Sequence, residues 1–418
     1  MNTSDSILID PTVLVDARGY GRDGYPWDAW KTLRNNSPVH WCAPTNARPF
    51  WALTRQAEIR HVSTHPETFE NAPRPMIMSH DVEAVAGGPS AASMMRTLIN
   101  MDPPEHRDYR AIAASFLKPT AVRGLEATAR AVVHELLDGA GASSEPFDFV
   151  SEIAMHHPLR VICRILGAAP EDEPLVLRIA NTAFGIEDPE YFPQMAALGL
   201  EMMEYYRRIQ DDRRALPRPD LYSALANARV GGKPMGAFEL VGYFLIMTTA
   251  GHDTTRNALA GGLHALVEHP EQLDRLRDDP SLCTTAADEI IRWTSPVIQF
   301  CRTPNLDVEI GGQRIRGGES LAMFYPSANR DETVFDDPDR FDVGRDPNPH
   351  LAFGVGEHFC LGTHLARLEI RVLLEELVPR LEHVELAGPV ERTAASFVGG
   401  IKHLPIRWKL RDTLPMSS

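Results

Sequence analysis

The sequence predicts a mainly α-helical protein with a minor β portion. Apolar residues recur at the helical spacing of three to four residues along most of the chain, whereas strand patterns are confined to short regions. One segment, 237–268, keeps a helical pattern over roughly thirty residues, which is well above the usual helix length. Because that segment is apolar on nearly all sides, we expect it to cross the core.

The other predicted helices are spread over the whole chain. Helical patterns cover residues 25–35, 56–63, 105–116, 121–137, 149–166, 171–184, 193–215, 270–278, 284–294 and 361–377.

Strand patterns occupy two regions. Residues 39–42 and 50–54 are separated by a proline and an asparagine that favour a turn, so a hairpin is expected. A second strand-rich stretch, 297–323, contains a Gly-Gly pair at 311–312 that is typical of a hairpin turn. Residues 72–98 are rich in Gly, Pro and Ser and predict a long loop.

No linker divides the chain. The prolines are dispersed and no low-complexity stretch separates two compositions, so we expect a single domain over residues 1–418. The formal net charge of −15, without a basic run, argues against a nucleic-acid partner. Five cysteines form neither a disulfide framework nor a C-x-x-C pair, which suits a reducing compartment.

The start of the chain shows no secretory pattern, since residues 1–10 are short and polar. The longest apolar run, 240–251, is too short to span a bilayer and ends in a His-Asp pair. We therefore expect a cytoplasmic protein with no membrane anchor.

One cysteine differs from the others in its surroundings. Cys360 follows a glycine-rich loop and opens the helical pattern 361–377, so unpaired backbone N–H groups and the helix dipole are expected to lower the pKa of its thiol. Gly354, Gly356 and Gly362 allow the backbone to approach a flat partner closely. A haem held by an axial cysteine thiolate uses such a site.

Two alternatives compete with a haem site. Most unpaired cysteines are buried structural residues. A zinc site would take its ligands from His350, His358, Cys360 and His364, but their spacing matches no closed structural zinc site. The further fixed residues around Cys360 favour haem over both alternatives.

The segment 353–362 resembles the haem-binding signature of the cytochrome P-450 superfamily, F-G-x-G-x-H-x-C-x-G, at every fixed position. The resemblance implies the α-rich triangular prism of that family and a haem b (iron protoporphyrin IX) cofactor whose iron is bound by Cys360. Within the segment, the other implied haem contacts are Phe353, Gly354, His358 and Gly362.

The centre of the long helical pattern carries a glycine, an acid and hydroxyl groups, which are costly in a buried helix unless they are paired. These residues favour an oxygen-binding bend in the helix, and a locally exposed helix is the alternative. The segment 249–255 resembles the A-G-x-D/E-T-T motif of the same family. By that resemblance Thr254 hydrogen-bonds the oxygen bound at the haem, Asp253 relays protons toward it, and Ala250 lies against the cofactor.

Glu289 and Arg292 are i,i+3 neighbours on one face of a predicted helix. An isolated pair of this kind is typical of a helix surface. In the resembled family the pair forms a buried structural ion network with a third basic residue before the cysteine loop. Residues 335–341 resemble that segment, so Arg340 is expected as the third partner, with His350 as the alternative.

The resemblance also implies cations for the two carboxylate groups of the haem. Residues 102–110 resemble a helix start at which His106 and Arg110 share one face. Arg302 and His358 match the remaining contacts. Each of these residues taken singly is more often a solvated surface cation, and their joint match favours the ligand role.

By family position, the substrate pocket is lined from the long helix, from the segment after residue 295 and from a turn near the C-terminus. The expected residues are Leu245, Ile246, Thr249, Val297, Ile298, Phe300 and Val398. Some of them must simply pack the core. With Gln299 as the nearby polar candidate, this mainly apolar lining favours an apolar substrate. The strings at 348–353 and 400–405 resemble those of members that hydroxylate terpenes, sterols or branched lipids.

The predicted function is that of a haem-thiolate monooxygenase, which inserts one oxygen atom of O₂ into a C–H bond of a small apolar substrate. Electrons are expected from a ferredoxin and its ferredoxin reductase, docking on the side of Cys360, with Arg367 and Arg371 as candidates for steering an acidic partner. The alternatives are a peroxide-driven peroxygenase, against which Asp253 and Thr254 argue, and a non-catalytic haem or zinc protein.

Overall fold

The computed structural model describes residues 9–85, 96–141 and 145–411 of the chain. Helices are the main elements within these ranges. They are α1 (Ala17–Asp23), α2 (Trp27–Asn36), α3 (Gln56–Ser63), α4 (His80–Val85), α5 (Glu105–Leu117), α6 (Pro119–Arg123), α7 (Glu126–Ala140), α8 (His156–Leu166), α9 (Glu173–Phe184), α10 (Met195–Ala215), α11 (Leu221–Ala226), α12 (Ala237–Thr249), α13 (Asp253–Glu268), α14 (Pro270–Asp278), α15 (Cys283–Thr294), α16 (Tyr325–Ala328) and α17 (Thr363–Leu377).

The strands are short. They are β1 (Val39–Cys42), β2 (Phe50–Leu53), β3 (Phe69–Glu70), β4 (Phe147–Asp148), β5 (Arg229–Val230), β6 (Lys233–Pro234), β7 (Gln299–Pro304), β8 (Val308–Ile310), β9 (Gln313–Ile315), β10 (Leu321–Phe324), β11 (Leu381–Leu386), β12 (Glu391–Arg392), β13 (Ile401–His403) and β14 (Pro405–Leu410).

The largest sheet has the strand order β1-β2-β10-β7-β3. The predicted hairpin of β1 and β2 is confirmed, with Val39 opposite Leu53, and β2 pairs in parallel with β10. A three-stranded sheet has the order β11-β14-β4, and β8 and β9 form the hairpin predicted at the Gly-Gly pair. The fold class, mainly α with a minor β portion, is confirmed.

Several predicted bounds agree with the structure to the residue, among them those of α3, α14 and β1. The predicted helix 121–137 is wrong as one element, because Gly124 ends α6 before α7 begins. The predicted helix 149–166 is interrupted too. It starts with a π-helical turn, and Pro158 has no N–H to bond the carbonyl four residues earlier. The predicted 72–98 loop contains α4, and its residues 86–95 lie outside the described ranges.

The predicted long helix 237–268 is also wrong as a continuous element, because it is divided into α12 and α13. Residues 250–252 form a turn, in which the His252 N–H donates to the Thr249 carbonyl at 3.2 Å, a bond of i to i−3 type. Gly251 contributes the lowest helix propensity of any residue except proline. The interruption lies where the sequence predicted a bend.

The main apolar core lies around these two helices. α13 packs on α15 and α17, and α17 packs in turn on α7. A second cluster, with Trp30, Phe50 and Ile298 at its centre, lies under the five-stranded sheet. The interruption between α12 and α13 lies within this core, since Ile246 and Ala258 on either side of it belong to the main apolar cluster. Across the three described ranges, no helix combines the length and the apolar character needed to cross a membrane.

Candidate active site

The loop before α17 is shaped by two glycines. Gly354 and Gly356 have φ of +68° and +79°, in the left-handed region that glycine adopts most easily. A Cβ on Gly356 would lie 2.3 Å from the Ser63 carbonyl oxygen, so the loop packs directly against the end of α3. The Cys360 N–H donates to the Phe353 carbonyl at 2.8 Å and closes the loop.

The Cys360 thiol faces an internal cavity. Burial raises its pKa, and this effect outweighs the lowering by the Gly362 N–H and by the charge of Arg110. The predicted lowering of the thiol pKa is therefore wrong for the chain by itself. The reason is that α17 begins only at Thr363, so fewer free N–H groups reach the sulfur than the pattern 361–377 suggested.

The cavity has a volume of about 240 Å³ and a mainly apolar surface. The loop before α17 and the first turns of that helix form one part of its lining, and the turn between α12 and α13 forms another part. Of the residues predicted for the site, those that line it are His106, Arg110, Ile246, Ala250, Thr254, Val297, Phe300, Arg302, Phe353, Gly354, His358, Cys360 and Gly362.

Four predicted cations thus lie around one space. Arg302 is 5% exposed, and its guanidinium donates to the Cys301 carbonyl at 2.7 Å. Among the described residues, no carboxylate forms an ion pair with Arg302, and burial lowers its pKa. Arg110 donates to the Phe359 carbonyl at 2.6 Å.

His358 is neutral in this environment. Burial, followed by the charge of Arg302, lowers its pKa to about 2. Its Nε2 lies 2.7 Å from Nδ2 of Asn71, which can only donate, so the ring proton must be on Nδ1. The buried His106 Nδ1 has no hydrogen-bond partner and lies 3.6 Å from the Glu357 carboxylate. Asn71 was missed by the sequence analysis.

These residues fit a haem. A buried arginine without a carboxylate is costly, and an anion at this point would compensate its charge. The carboxylate groups of a haem are such anions, and a thiol facing the same cavity is the matching iron ligand.

Residues in and beside the turn between α12 and α13 face two different directions. Ala250 and Thr254 line the cavity, and the Thr254 hydroxyl donates to the Ala250 carbonyl at 2.9 Å. Asp253 points elsewhere. Its buried carboxylate lies 3.0 Å from His252 Nδ1 and 3.6 Å from the Arg256 guanidinium. Of the predicted pair, only Thr254 lies at the cavity surface.

Glu289 and Arg292 form a fully buried ion pair with two contacts of 2.7 Å. The third partner is Arg345, whose Nε lies 3.2 Å from the Glu289 carboxylate. The prediction of Arg340 is wrong, because its side chain is 60% exposed and reaches Asp342 instead.

The alternative third partner, His350, is also wrong. Its Nε2 lies 3.2 Å from the Asp288 carboxylate. The backbone carbonyl of Arg340 does accept a hydrogen bond from Arg292, so the predicted segment is near the network while the predicted side chain is not.

Known proteins are similar to this chain over nearly its whole length. A family model described as Cytochrome P450 matches residues 196–401. Cytochrome P450-terp from Pseudomonas sp is 36% identical over 413 residues, covering 94% of this chain and 95% of that protein. The chain belongs to the cytochrome P450 family.

Two further P450 proteins extend this result. The methyl-branched lipid omega-hydroxylase of Mycobacterium tuberculosis is 35% identical over 401 residues, 93% of this chain and 91% of that protein. The crystal structure of CYP108D1 from Novosphingobium aromaticivorans has a TM-score of 0.87 at 36% identity and covers 96% of this chain and 98% of that chain. The chain is therefore a P450 monooxygenase, and its family implies a haem-thiolate cofactor.

Some residues predicted for the P450 substrate pocket do not line the cavity: Leu245, Thr249, Ile298 and Val398. The Thr249 hydroxyl donates to the Leu245 carbonyl on another side of α12. Ile298 packs with Trp30 in the second apolar cluster.

Val398 and one further candidate, Gln299, are held by contacts with backbone. Val398 forms an isolated bridge with Val297 and is 3% exposed. The Gln299 amide is fully buried and exchanges two hydrogen bonds with the backbone of Ile77, so it is not the polar anchor that the sequence suggested.

Other cavity residues were missed by the sequence analysis. They include Leu98, Ile99, Leu117, Ile162, Met247, Tyr325, Leu361 and Ile370. The apolar pair at 98–99 ends a polar loop, and this pattern could have indicated cavity residues. No local sequence feature indicates that Tyr325 lines the cavity.

The zinc alternative gains no support from the structure. His350 and His358 contact different partners, Asp288 and Asn71. Among the described residues, no group of three or more His, Cys, Asp or Glu side chains is placed to hold a metal ion. The other four cysteines, Cys42, Cys163, Cys283 and Cys301, are buried, whereas Cys360 is only half-buried because its sulfur faces the cavity.

Proposed function

We propose that this P450 binds a haem b through Cys360 and, as a single domain, hydroxylates a small apolar substrate with electrons from a ferredoxin and its reductase. The observation that carries the proposal is the cavity itself. It joins a thiol, two arginines that form no ion pair with a carboxylate of the described residues, and an apolar lining in one space.

Two arginines and a neutral histidine would hold the cofactor. Arg302 and Arg110 supply positive charge for the haem carboxylates, and the neutral His358 supplies an Nδ1 proton. Bound there, the haem supplies the activation of O₂. Cys360 would hold the haem iron from the loop before α17, and the part of the cavity at Thr254 would be the substrate side.

On the substrate side, Thr254 has a defined orientation. Because its proton is held by the Ala250 carbonyl, its oxygen presents lone pairs to the cavity. Thr254 is therefore suited to accept a hydrogen bond from a water molecule or a protonated group in the cavity. Asp253, in the preceding position of the helix, is the residue that we assign as the proton source for Thr254.

The substrate class follows from the lining. Ile246, Val297 and Phe300 offer apolar contacts, and Gln299 is engaged with backbone. An apolar pocket with few polar groups selects by shape and hydrophobicity. A terpenoid, a steroid or a branched lipid has these properties, and one relative is named for methyl-branched lipids.

A ferredoxin would approach the face that carries Cys360. The candidates Arg367 and Arg371 are ion-paired there, Arg367 with Asp288 at 2.7 Å and Arg371 with Glu375 at 2.6 Å. Their charges are therefore compensated. The cysteine loop itself offers Phe359, which is 39% exposed.

The test is the absorption spectrum of the dithionite-reduced protein with carbon monoxide. We expect a Soret band far to the red in the parent and in Cys42→Ala, a control at a buried cysteine outside the cavity. Cys360→Ser should lose that band. A red-shifted band in Cys360→Ser would overturn the assignment.

Two further measurements test the reaction. Terpenoids, steroids and branched fatty acids are titrated, and displacement of water from the ferric iron is followed by the Soret shift. Turnover of a binding compound is then compared between ferredoxin with O₂ and peroxide alone. Product with peroxide only would favour the peroxygenase, and no response to any apolar compound would contradict the substrate class.

A further inference from the structure

His252 is placed between two hydrogen-bond acceptors. It belongs to the turn between α12 and α13, and its side chain is completely buried. One ring nitrogen, Nε2, lies 2.9 Å from the carbonyl oxygen of Met155, in the turn that precedes α8. The other, Nδ1, lies 3.0 Å from Oδ1 of Asp253.

The two contacts determine how many protons His252 and Asp253 hold together. A backbone carbonyl only accepts, so His252 Nε2 must carry a proton. A neutral imidazole then has a lone pair on Nδ1, and an ionised carboxylate at 3.0 Å would face it with a second lone pair. The contact is attractive only if a further proton lies on Nδ1 or on Oδ1.

We propose that His252 and Asp253 share one proton more than a neutral imidazole and a carboxylate would hold, and that His252 is the positioning residue that keeps this proton at Asp253. The inference rests on the proposed function, in which Asp253 supplies protons on the substrate side. It adds His252 as the group that returns a proton to Asp253.

The surrounding charges favour the proton on Nδ1 of His252. The Arg256 guanidinium lies 3.6 Å from Asp253 Oδ1 and is held by Asn181 at 3.1 Å, and its charge stabilises the ionised carboxylate. From α8, His156 faces the same region. Burial and the charge of Arg160 lower the pKa of His156, so this residue adds no second positive charge.

The arrangement also gives a direction to proton movement. To supply a proton, the shared proton moves from His252 Nδ1 to Asp253 Oδ1 and leaves the pair from there, and the pair is left one proton short. The two lone pairs then face each other, which is unfavourable until a proton from solvent water restores the pair. Arg256 and the carbonyl of Met155 hold both side chains in position during this exchange.

The proton count can be measured without turnover. The full chain, labelled with ¹⁵N in its histidine rings, is prepared as the diamagnetic ferrous carbon monoxide complex. His252→Gln identifies the His252 signals by their loss. We expect two protonated ring nitrogens for His252. An infrared carboxyl band that Asp253→Asn removes would equally show the shared proton, on Oδ1.

One protonated ring nitrogen at His252 together with an ionised Asp253 would overturn the proposal. In Asp253→Asn the amide can donate to Nδ1, so His252 should fall to a single proton, on Nε2. His156→Gln is the matched control and should leave both His252 protons in place. The carbon monoxide band of each variant reports the thiolate-bound haem separately, so a failure of the proposed function is recognised independently of the proton count.

A second readout concerns the reaction. In His252→Gln the amide can still donate to Met155 but carries no exchangeable charge. The share of reducing equivalents that ends in peroxide should rise while the carbon monoxide band is unchanged. If the share of reducing equivalents that ends in peroxide is unchanged across the pH range, the role of His252 in returning a proton to Asp253 is contradicted.

Discussion

The imidazole rings of His106 and His358 lie 4.1 Å apart, centre to centre, beside the cavity. Two rings this close disfavour each other's charge, and His106 contributes to the low pKa of His358. They therefore act toward an anion as neutral donors. The positive charge of the site rests on Arg302 and Arg110.

Arg302→Gln is expected to weaken haem binding by about 2 kcal/mol, or about thirtyfold in affinity. The physical reason is the loss of a charge-assisted hydrogen bond to a haem carboxylate. The rate of haem transfer to an excess of apomyoglobin measures the loss. Because Arg302 is buried without a carboxylate, the apoprotein of this variant should melt no lower than the parent apoprotein.

The control for this prediction is Arg314→Gln. The Arg314 side chain is 82% exposed, and its ion-pair partner, Asp307, does not line the cavity. Equal haem transfer rates in Arg302→Gln and Arg314→Gln would contradict the role of Arg302.

Thr254→Ala should uncouple turnover, with product per NADH falling by about 10²-fold and peroxide rising in its place. The hydroxyl that accepts a hydrogen bond in the cavity is removed, while the helix is preserved. Thr249→Ala is the matched control, because Thr249 makes the same bond to a carbonyl four residues earlier but does not line the cavity. Similar coupling in the two variants would argue against a role for Thr254.

Arg345→Met is expected to destabilise the holoprotein by about 3–5 kcal/mol, because it removes a partner of the buried Glu289 carboxylate. Arg340→Met should change stability by no more than about 0.5 kcal/mol, since its side chain lies at the surface. The yield and the thermal midpoint of haem-loaded protein measure both effects. If Arg340→Met destabilises the protein more than Arg345→Met, the sequence-based prediction of Arg340 as the third partner is restored.

Acid is expected to destabilise the protein through His157. This fully buried ring has a pKa of about 4, lowered by burial, and bonds the Glu369 carbonyl. The unfolded chain binds its proton near pH 6.5, so stability is complete above that pH and falls as the pH decreases toward 4. At pH 5 the loss is about 2 kcal/mol.

His157→Gln should therefore lose less stability than the parent between pH 7 and pH 5, measured as the free energy of unfolding in urea. The control is His383→Gln, at a side chain that is 62% exposed. A parallel pH dependence in all three proteins would show that His157 does not contribute.

The part of the site that could be predicted from the sequence is local. The residues around Cys360 lie in one loop, and their spacing alone indicates the chemistry. The four cations could be predicted because each belongs to a segment with its own pattern. Glu289 and Arg292 share a helix turn, so their pairing follows from periodicity.

The part that could not be predicted depends on contacts between distant segments. Asp253 turns away from the cavity because His252 bonds Met155, which is 97 residues earlier. Arg345 and Arg340 both lie in irregular chain, where no period shows which side chain turns inward. Ile298 was misplaced because β7 begins at Gln299, so strand alternation does not extend to it.

Because four of the five cysteines are buried, a single thiol, that of Cys360, is accessible to reagents. Burial raises the pKa of Cys42, Cys163 and Cys301 to about 12, so these sulfurs are both shielded and protonated. Only Cys360 opens onto a space that a small electrophile can enter. Alkylation of the native chain thus counts the molecules that have not yet received their cofactor, and the labelled fraction becomes a direct measure of maturation.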